Sequence, residues 1–124
     1  MRIKLIVFGA SGLLGSNIIK LLHDKYNILG IYNKNKPNFS KSTNVKLLKF
    51  NLIKHVSINN ILIKKFKPRF IINCAGESSV DECELKKKYA YQSIYLSTKK
   101  ISEFAKKNKA YLINVSTDSL YDGK

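Results

Sequence analysis

The sequence is 124 residues long, 44% hydrophobic and formally +15 at pH 7, with 23 Lys and Arg against 8 Asp and Glu. That length and apolar content suit one soluble domain with a sizeable core, and with no apolar run as long as a membrane span and no signal-peptide pattern, a cytoplasmic protein without membrane contact is expected. The lysines are scattered along the chain as a solvated surface rather than gathered into a nucleic-acid patch, while Cys74 and Cys83 form no CxxC and have no clustered histidine, so no disulfide or metal site is expected.

Taken in order, Ile3 to Phe8 is an apolar run, broken only by Lys4, that passes directly into Gly9-Ala10-Ser11-Gly12-Leu13-Leu14-Gly15. A buried strand running into glycines and then into a helical pattern is the layout of a dinucleotide-binding βα turn. Gly9 lets the chain turn, Gly12 lets backbone approach a pyrophosphate, and Gly15 lets the helix lie close to the sheet. The pyrophosphate is expected on the free N–H groups of the helix N-terminus. The candidate contacts are therefore Gly9, Ser11, Gly12, Leu13, Leu14 and Gly15.

The first helix is predicted from Leu13 to about Lys25, with Leu14, Ile18, Leu21 and Leu22 inward and Asn17, Lys20 and Asp24 toward water. Asn27 to Tyr32 reads as the second strand, and the adenosine ribose of a dinucleotide lies over the end of such a strand. An acid there would bind the 2′-hydroxyl, yet the sequence is Tyr32-Asn33-Lys34-Asn35-Lys36. Asn33 and Lys34 suit a 2′-phosphate instead, which favours NADP(H) over NAD(H).

Pro37 to Asn44 reads as a loop, Val45 to Phe50 as the third strand, and Ser57 as the N-cap of a helix that runs to Phe66 and is ended by Pro68. Arg69 to Ala75 is the fourth strand, apolar on both faces as a central parallel strand should be. Val80 to Lys109 is one helix, or two with a break. Tyr91, Ile94, Tyr95, Thr98, Ile101, Ser102 and Ala105 follow helical spacing and are expected to face the sheet. Tyr111 to Val115 is the fifth strand, and Ser116-Thr117-Asp118 follow it at the carboxyl end, where ligands of open α/β sheets bind.

Four stretches together carry a family resemblance. The glycine spacing GxxGxxG resembles the extended short-chain dehydrogenase/reductases. Asn73-Cys74-Ala75-Gly76 and the run Val80-Asp81-Glu82-Cys83-Glu84 resemble members close to dTDP-4-dehydrorhamnose reductase. Ser116-Thr117-Asp118-Ser119-Leu120-Tyr121-Asp122-Gly123 resembles the Ser-Thr-Asp-Tyr-Val-Phe-Asp-Gly signature of that group.

The resemblance implies that Asn51-Leu52, where the family usually has Asp-Leu, lies near the adenine. It implies that Cys74, Ala75 and Gly76 leave room for the ribose and nicotinamide side of the cofactor. Thr117 would polarise the substrate carbonyl, with Ser116 and Asp118 lining the same pocket. Asp81 and Glu82 are family markers at a helix start, where the dipole alone favours acids. The family's catalytic Tyr-x-x-x-Lys is expected beyond Lys124. Tyr32/Lys36 and Tyr95/Lys99 match that spacing, but Tyr32 lies in the adenosine-side loop and Tyr95 on the helix before the Ser/Thr strand, in the wrong order, and Ile94 stands where relatives carry an Asn of the proton path.

The expected fold is a Rossmann-like doubly wound sheet of about five parallel strands, in order 3-2-1-4-5 with helices on both faces, occupying residues 1–124 as the N-terminal part of a longer family fold. The implied function is NADP(H)-dependent reduction of a 4-keto nucleotide sugar in deoxysugar and polysaccharide synthesis, with this portion inactive alone. A nucleotide-binding regulatory module without turnover, like the regulatory subunit of methionine adenosyltransferase, is the alternative, and a basic nucleic-acid binder a weaker one. The nucleotide sugar is the expected partner, and both homodimerisation and complementation by a C-terminal fragment stay open.

Overall fold

The structure is a computed structural model that describes residues 1–39, 42–76 and 79–116, with the side chain of Val80 excepted. The strands are β1 (Ile3–Phe8), β2 (Tyr26–Tyr32), β3 (Val45–Lys49), β4 (Phe70–Asn73) and β5 (Tyr111–Asn114). They form one parallel sheet in the order β3-β2-β1-β4-β5. This is the expected doubly wound arrangement, and β1 is central because its side chains are claimed from both sides. Ile6 and Phe8 join one core with Leu29, Ile31 and Ile71, while Leu5 and Val7 join the other with Ile28.

Helix α1 (Leu13–Leu22) covers the second core through Ile19. Helices α2 (Ile61–Phe66) and α5 (Ser97–Lys107) cover the first through Ile63, Ile101, Phe104 and Ala105. Between β4 and α5 the chain forms α3 (Val80–Leu85), α4 (Lys87–Ala90) and a π-helical stretch, Tyr91–Leu96. No helix among the described residues is long and apolar enough to cross a membrane.

Several sequence expectations need correction. The inward face of α1 carries Gly15 and Ile19, with Ile18 and Leu22 partly buried, whereas Leu14 is 47% and Leu21 78% exposed. Apolar residues at 13, 14, 18, 19, 21 and 22 offer two overlapping stripes. The one containing Gly15 lies down, because a residue without Cβ admits the closer approach.

Helix α2 starts at Ile61 rather than after Ser57. Its N-cap is Asn60, whose Oδ1 accepts from the N–H groups of Leu62 at 2.9 Å and Ile63 at 3.3 Å. Ile58 is buried in the core before the helix begins, so the chain stays non-helical through the sequence-predicted first turn.

The helical stripe predicted before β5 is also rotated. Ile101 and Ala105 are buried as expected and Thr98 is half-buried, but Tyr91, Ile94, Tyr95 and Ser102 are exposed, and Ser93, Ser97 and Phe104 are buried in their place. The i→i+5 turns of the π-helix break the 3.6-residue phase on which the prediction relied. They leave Tyr91 and Tyr95 stacked on each other on the outer side, ring centroids 5.1 Å apart.

Candidate functional site

The site begins where β1 hands over to α1. Gly9 has φ +80°, a left-handed conformation suited to glycine, and a Cβ there would stand 2.6 Å from the carbonyl oxygen of Cys74. A Cβ on Gly15 would come within 2.1 Å of the carbonyl oxygen of Gly9, so α1 is drawn against the turn by the absence of a side chain. Gly12 differs from both: only the Gly9 oxygen, at 3.5 Å, lies near its Cβ position, and the space beyond is open.

Helix α1 starts at that opening with no side-chain cap and no acid in its first turn. Among the described residues the N–H groups of Leu13, Leu14 and Gly15 make no hydrogen bond, so they and the positive end of the helix dipole are available to an anion. This cradle fits a pyrophosphate.

A cavity of about 250 Å³ opens at the carboxyl ends of β1, β2, β3 and β4. Of the sequence-predicted contacts, Gly9, Ser11, Gly12, Asn33, Asn51, Leu52, Cys74, Ala75 and Gly76 line it. Leu13, Leu14, Gly15 and Lys34 do not: Gly15 is buried beneath the turn, and Leu13, Leu14 and Lys34 are exposed outside the cavity. Ser116 is exposed after β5 and also stands off the cavity, while Thr117 and Asp118 lie outside the described residues. Tyr95 and Lys99 are exposed and are not part of the lining.

Tyr89, Ser93 and Ser97 complete one wall, and sequence reasoning missed them. The π-helix turns Ser93 inward, and α5 opens on Ser97, whose hydroxyl donates to the carbonyl of Gln92 at 2.9 Å. The Ser93 carbonyl would be 3.6 Å from a Cβ on Gly76, so a small wall residue meets a glycine turn. The signal present in the sequence was the four-residue spacing Ser93, Ser97, Ile101, Ala105.

Asn73 joins two of the walls. It is 2% exposed, accepts from the Ala75 N–H at 3.0 Å and donates to Asn114 Oδ1 at 2.8 Å and Thr98 Oγ1 at 3.4 Å. One buried amide thus fixes the turn after β4, the end of β5 and α5 together. The Cys74 thiol beside it has its pKa raised by burial, so it is neutral at pH 7 and offers the cavity no charge.

The model of the RmlD substrate binding domain family matches residues 2–124. A dTDP-4-dehydrorhamnose reductase from Aggregatibacter actinomycetemcomitans is 31% identical over 97% of this chain and 36% of its own length. The beta subunit of methionine adenosyltransferase 2 from Xenopus tropicalis is 30% identical over 97% of this chain and 34% of its own length. A hypothetical dTDP-4-dehydrorhamnose reductase from Sulfolobus tokodaii superposes on all of this chain and 42% of its own, with a TM-score of 0.81 and 30% identity. A dTDP-4-dehydrorhamnose reductase from Bacillus anthracis, solved in complex with NADP, shares the fold over all of this chain and 39% of its own, at a TM-score of 0.74 and 22% identity. The chain spans well under half the length of each of these proteins.

Proposed function

Since the chain belongs to the RmlD substrate binding domain family, we propose that residues 1–124 act as one domain, the NADP(H)-binding part of a sugar-nucleotide reductase resembling dTDP-4-dehydrorhamnose reductase. The observation that carries this reading is the uncapped start of α1 opening, past Gly12, onto a cavity at the carboxyl ends of the strands. The Bacillus anthracis relative of the same fold was solved with NADP, which supports a nicotinamide dinucleotide as the ligand.

When bound, the cofactor supplies a hydride. The chain's own residues bind and orient it. The N–H groups at Leu13 to Gly15 take the pyrophosphate, Gly12 leaves room for it, and Asn33 at the rim with Lys34 beyond it takes the 2′-phosphate. Asn51 and Leu52 border the adenine, and Cys74 to Gly76, with Ser93 and Ser97 opposite, border the inner end. Thr117 polarises the sugar carbonyl, and Ser116 and Asp118 help to hold the sugar, as the family resemblance implies.

A second reading, a dinucleotide-binding regulatory module without turnover, is supported by the 30% identity to the methionine adenosyltransferase beta subunit. It is also supported by Ile94, an apolar residue whose Cγ1 lies 3.7 Å from the Cβ position of cavity-lining Gly76, at the place where the family resemblance implies an Asn of the proton path. Calorimetric titration of the chain with NADPH and NADH tests the shared premise. Saturable binding of NADPH is expected, and failure of both to bind overturns both readings. NADPH consumption with a 4-keto nucleotide sugar then separates reductase from module.

A further inference from the structure

Besides placing Ser97 in the cavity wall, helix α5 reaches the opposite side of the cavity through Lys100. Lys100, partly buried on that helix, donates from Nζ to the carbonyl oxygen of Leu52 at 2.5 Å, a contact 48 residues apart in sequence. The peptide that carries this carbonyl is held from its other end as well. The N–H of Ile53 donates to Asn51 Oδ1 at 2.9 Å, and the N–H of Lys54 donates to the same oxygen at 3.2 Å.

In a trans peptide the C=O and N–H point in opposite directions, and no peptide among the described residues is cis. Lys100 and Asn51 therefore grip the two ends of the Leu52–Ile53 peptide, so that neither can turn without the other giving way. Asn51, Leu52 and Ile53 all line the cavity. The ammonium donor makes this the stronger of the two grips, since charge-assisted hydrogen bonds exceed neutral ones.

We propose that Lys100 is a positioning residue for dinucleotide binding: by holding the Leu52 carbonyl it fixes the Leu52–Ile53 peptide and, through it, the orientation of the Asn51 side chain on the adenosine side of the cavity. Lys100 does not itself line that cavity. It acts through the loop, and it couples α5 to a wall built by the turn after β3. The proposal deepens the NADP(H) reading and rests on it for the identity of the ligand.

The test uses the 124-residue chain and two variants, Lys100→Met, which keeps the length and apolar stem, and Lys100→Arg, which keeps a charged donor. Amide hydrogen exchange is followed at Ile53 and Lys54 and at the sheet amides of β1 and β4, and NADPH affinity is measured by calorimetry. Lys100→Met is expected to speed exchange at Ile53 and Lys54 with sheet protection unchanged, and to weaken NADPH binding about tenfold. Lys100→Arg is expected to restore both.

Unchanged exchange at Ile53 and Lys54 in Lys100→Met overturns the grip, whether or not any nucleotide binds. Faster exchange with unchanged NADPH affinity overturns the positioning role. Slackening spread equally over the sheet amides, unrepaired by arginine, overturns it too, since that is the mark of a merely structural contact. Absence of NADPH binding by the unmodified chain is a different failure, that of the proposed function, and the exchange measurement still decides the grip.

Discussion

Gly15 and Gly12 lie three residues apart in one turn, yet they should fail in opposite ways when given a side chain. A methyl on Gly15 would stand 2.1 Å from the Gly9 carbonyl oxygen and 2.8 Å from its carbon, both backbone atoms of a turn pinned against β4. To reach ordinary contact, α1 has to retreat by about 1 Å, and forced repacking of this kind costs about 1–3 kcal/mol. Alanine recovers part of this through helix propensity, at most about 1 kcal/mol and less in a first turn. The net expectation for Gly15→Ala is a loss of about 2 kcal/mol, a fall in Tm of roughly 8 °C for a domain of this size.

Gly12→Val meets only the Gly9 oxygen at 3.5 Å, and its backbone at φ −73°, ψ 167° is one that any residue adopts. Its stability should stay within about 0.5 kcal/mol, while NADPH affinity falls by about 10²-fold as the branched side chain fills the approach to the helix N–H groups. Urea melts followed by circular dichroism, with calorimetry on the same samples, read both quantities. Gly15→Ala as stable as the parent would show that α1 is not drawn against the turn. Gly12→Val binding NADPH as the parent does would remove the pyrophosphate from this helix.

Lys34→Asp should weaken NADPH and leave NADH nearly unchanged, because only NADPH presents a 2′-phosphate to that loop; equal calorimetric effects on both would make Lys34 one more solvated lysine. Asn60→Ala removes an N-cap that serves two N–H groups and should cost about 1 kcal/mol in urea melts. The Cys74 thiol, raised above its ordinary value of 9.0 by burial, favours the folded state while protonated. That contribution is whole below about pH 9 and is lost as pH rises through the raised folded value, so the parent should lose stability in that window faster than Cys74→Ala does. Parallel stability-against-pH curves for the two proteins would contradict it.

The parts of this fold legible in the sequence are those where one residue type has one reason to be present. Ile3–Phe8 followed by three spaced glycines could be read because a doubly buried strand and a close helix entry leave few other sequences open to the chain. The inward face of α1 was ambiguous because two apolar stripes overlap, and the arbiter was a missing Cβ on Gly15 that meets a carbonyl about 20 Å of extended chain away only after folding. Ser57 and Asn60 are both good N-caps, and burial of Ile58 chose between them. Tyr89, Ser93 and Ser97 were hidden because their four-residue spacing runs beside the more apolar stripe of Tyr91, Ile94 and Tyr95, and the π-helix that turns Ser93 inward has no pattern distinct from its α-helical flanks. Lys100 looked like its many neighbours, and its carbonyl partner, being backbone, leaves no trace in the sequence at all.

The same turn makes one expectation about base recognition that separates this chain from its relatives. The family resemblance implies an acid where Asn51 stands, beside the adenine amino group, which donates. Here Asn51 Oδ1 already accepts from the N–H groups of Ile53 and Lys54. Its Nδ2 group makes no hydrogen bond among the described residues, so the side chain shows the cavity a donor. A donor does not reward an exocyclic amine, and the hypoxanthine analogue of NADPH, with oxygen in place of that amine, should bind within about threefold of NADPH itself. Asn51→Asp keeps an oxygen for the two turn N–H groups and puts a second acceptor where Nδ2 stood. The variant should therefore gain preference for adenine over hypoxanthine by about tenfold, the worth of one hydrogen bond gained and one repulsion made. Because the preference is a ratio of two dinucleotides with the same phosphates, the added negative charge cancels from it. If the parent already prefers adenine by about tenfold and Asn51→Asp leaves that ratio where it was, the Asn51 oxygen faces the base after all. The grip on the Leu52–Ile53 peptide would then be looser in solution than its hydrogen bonds describe.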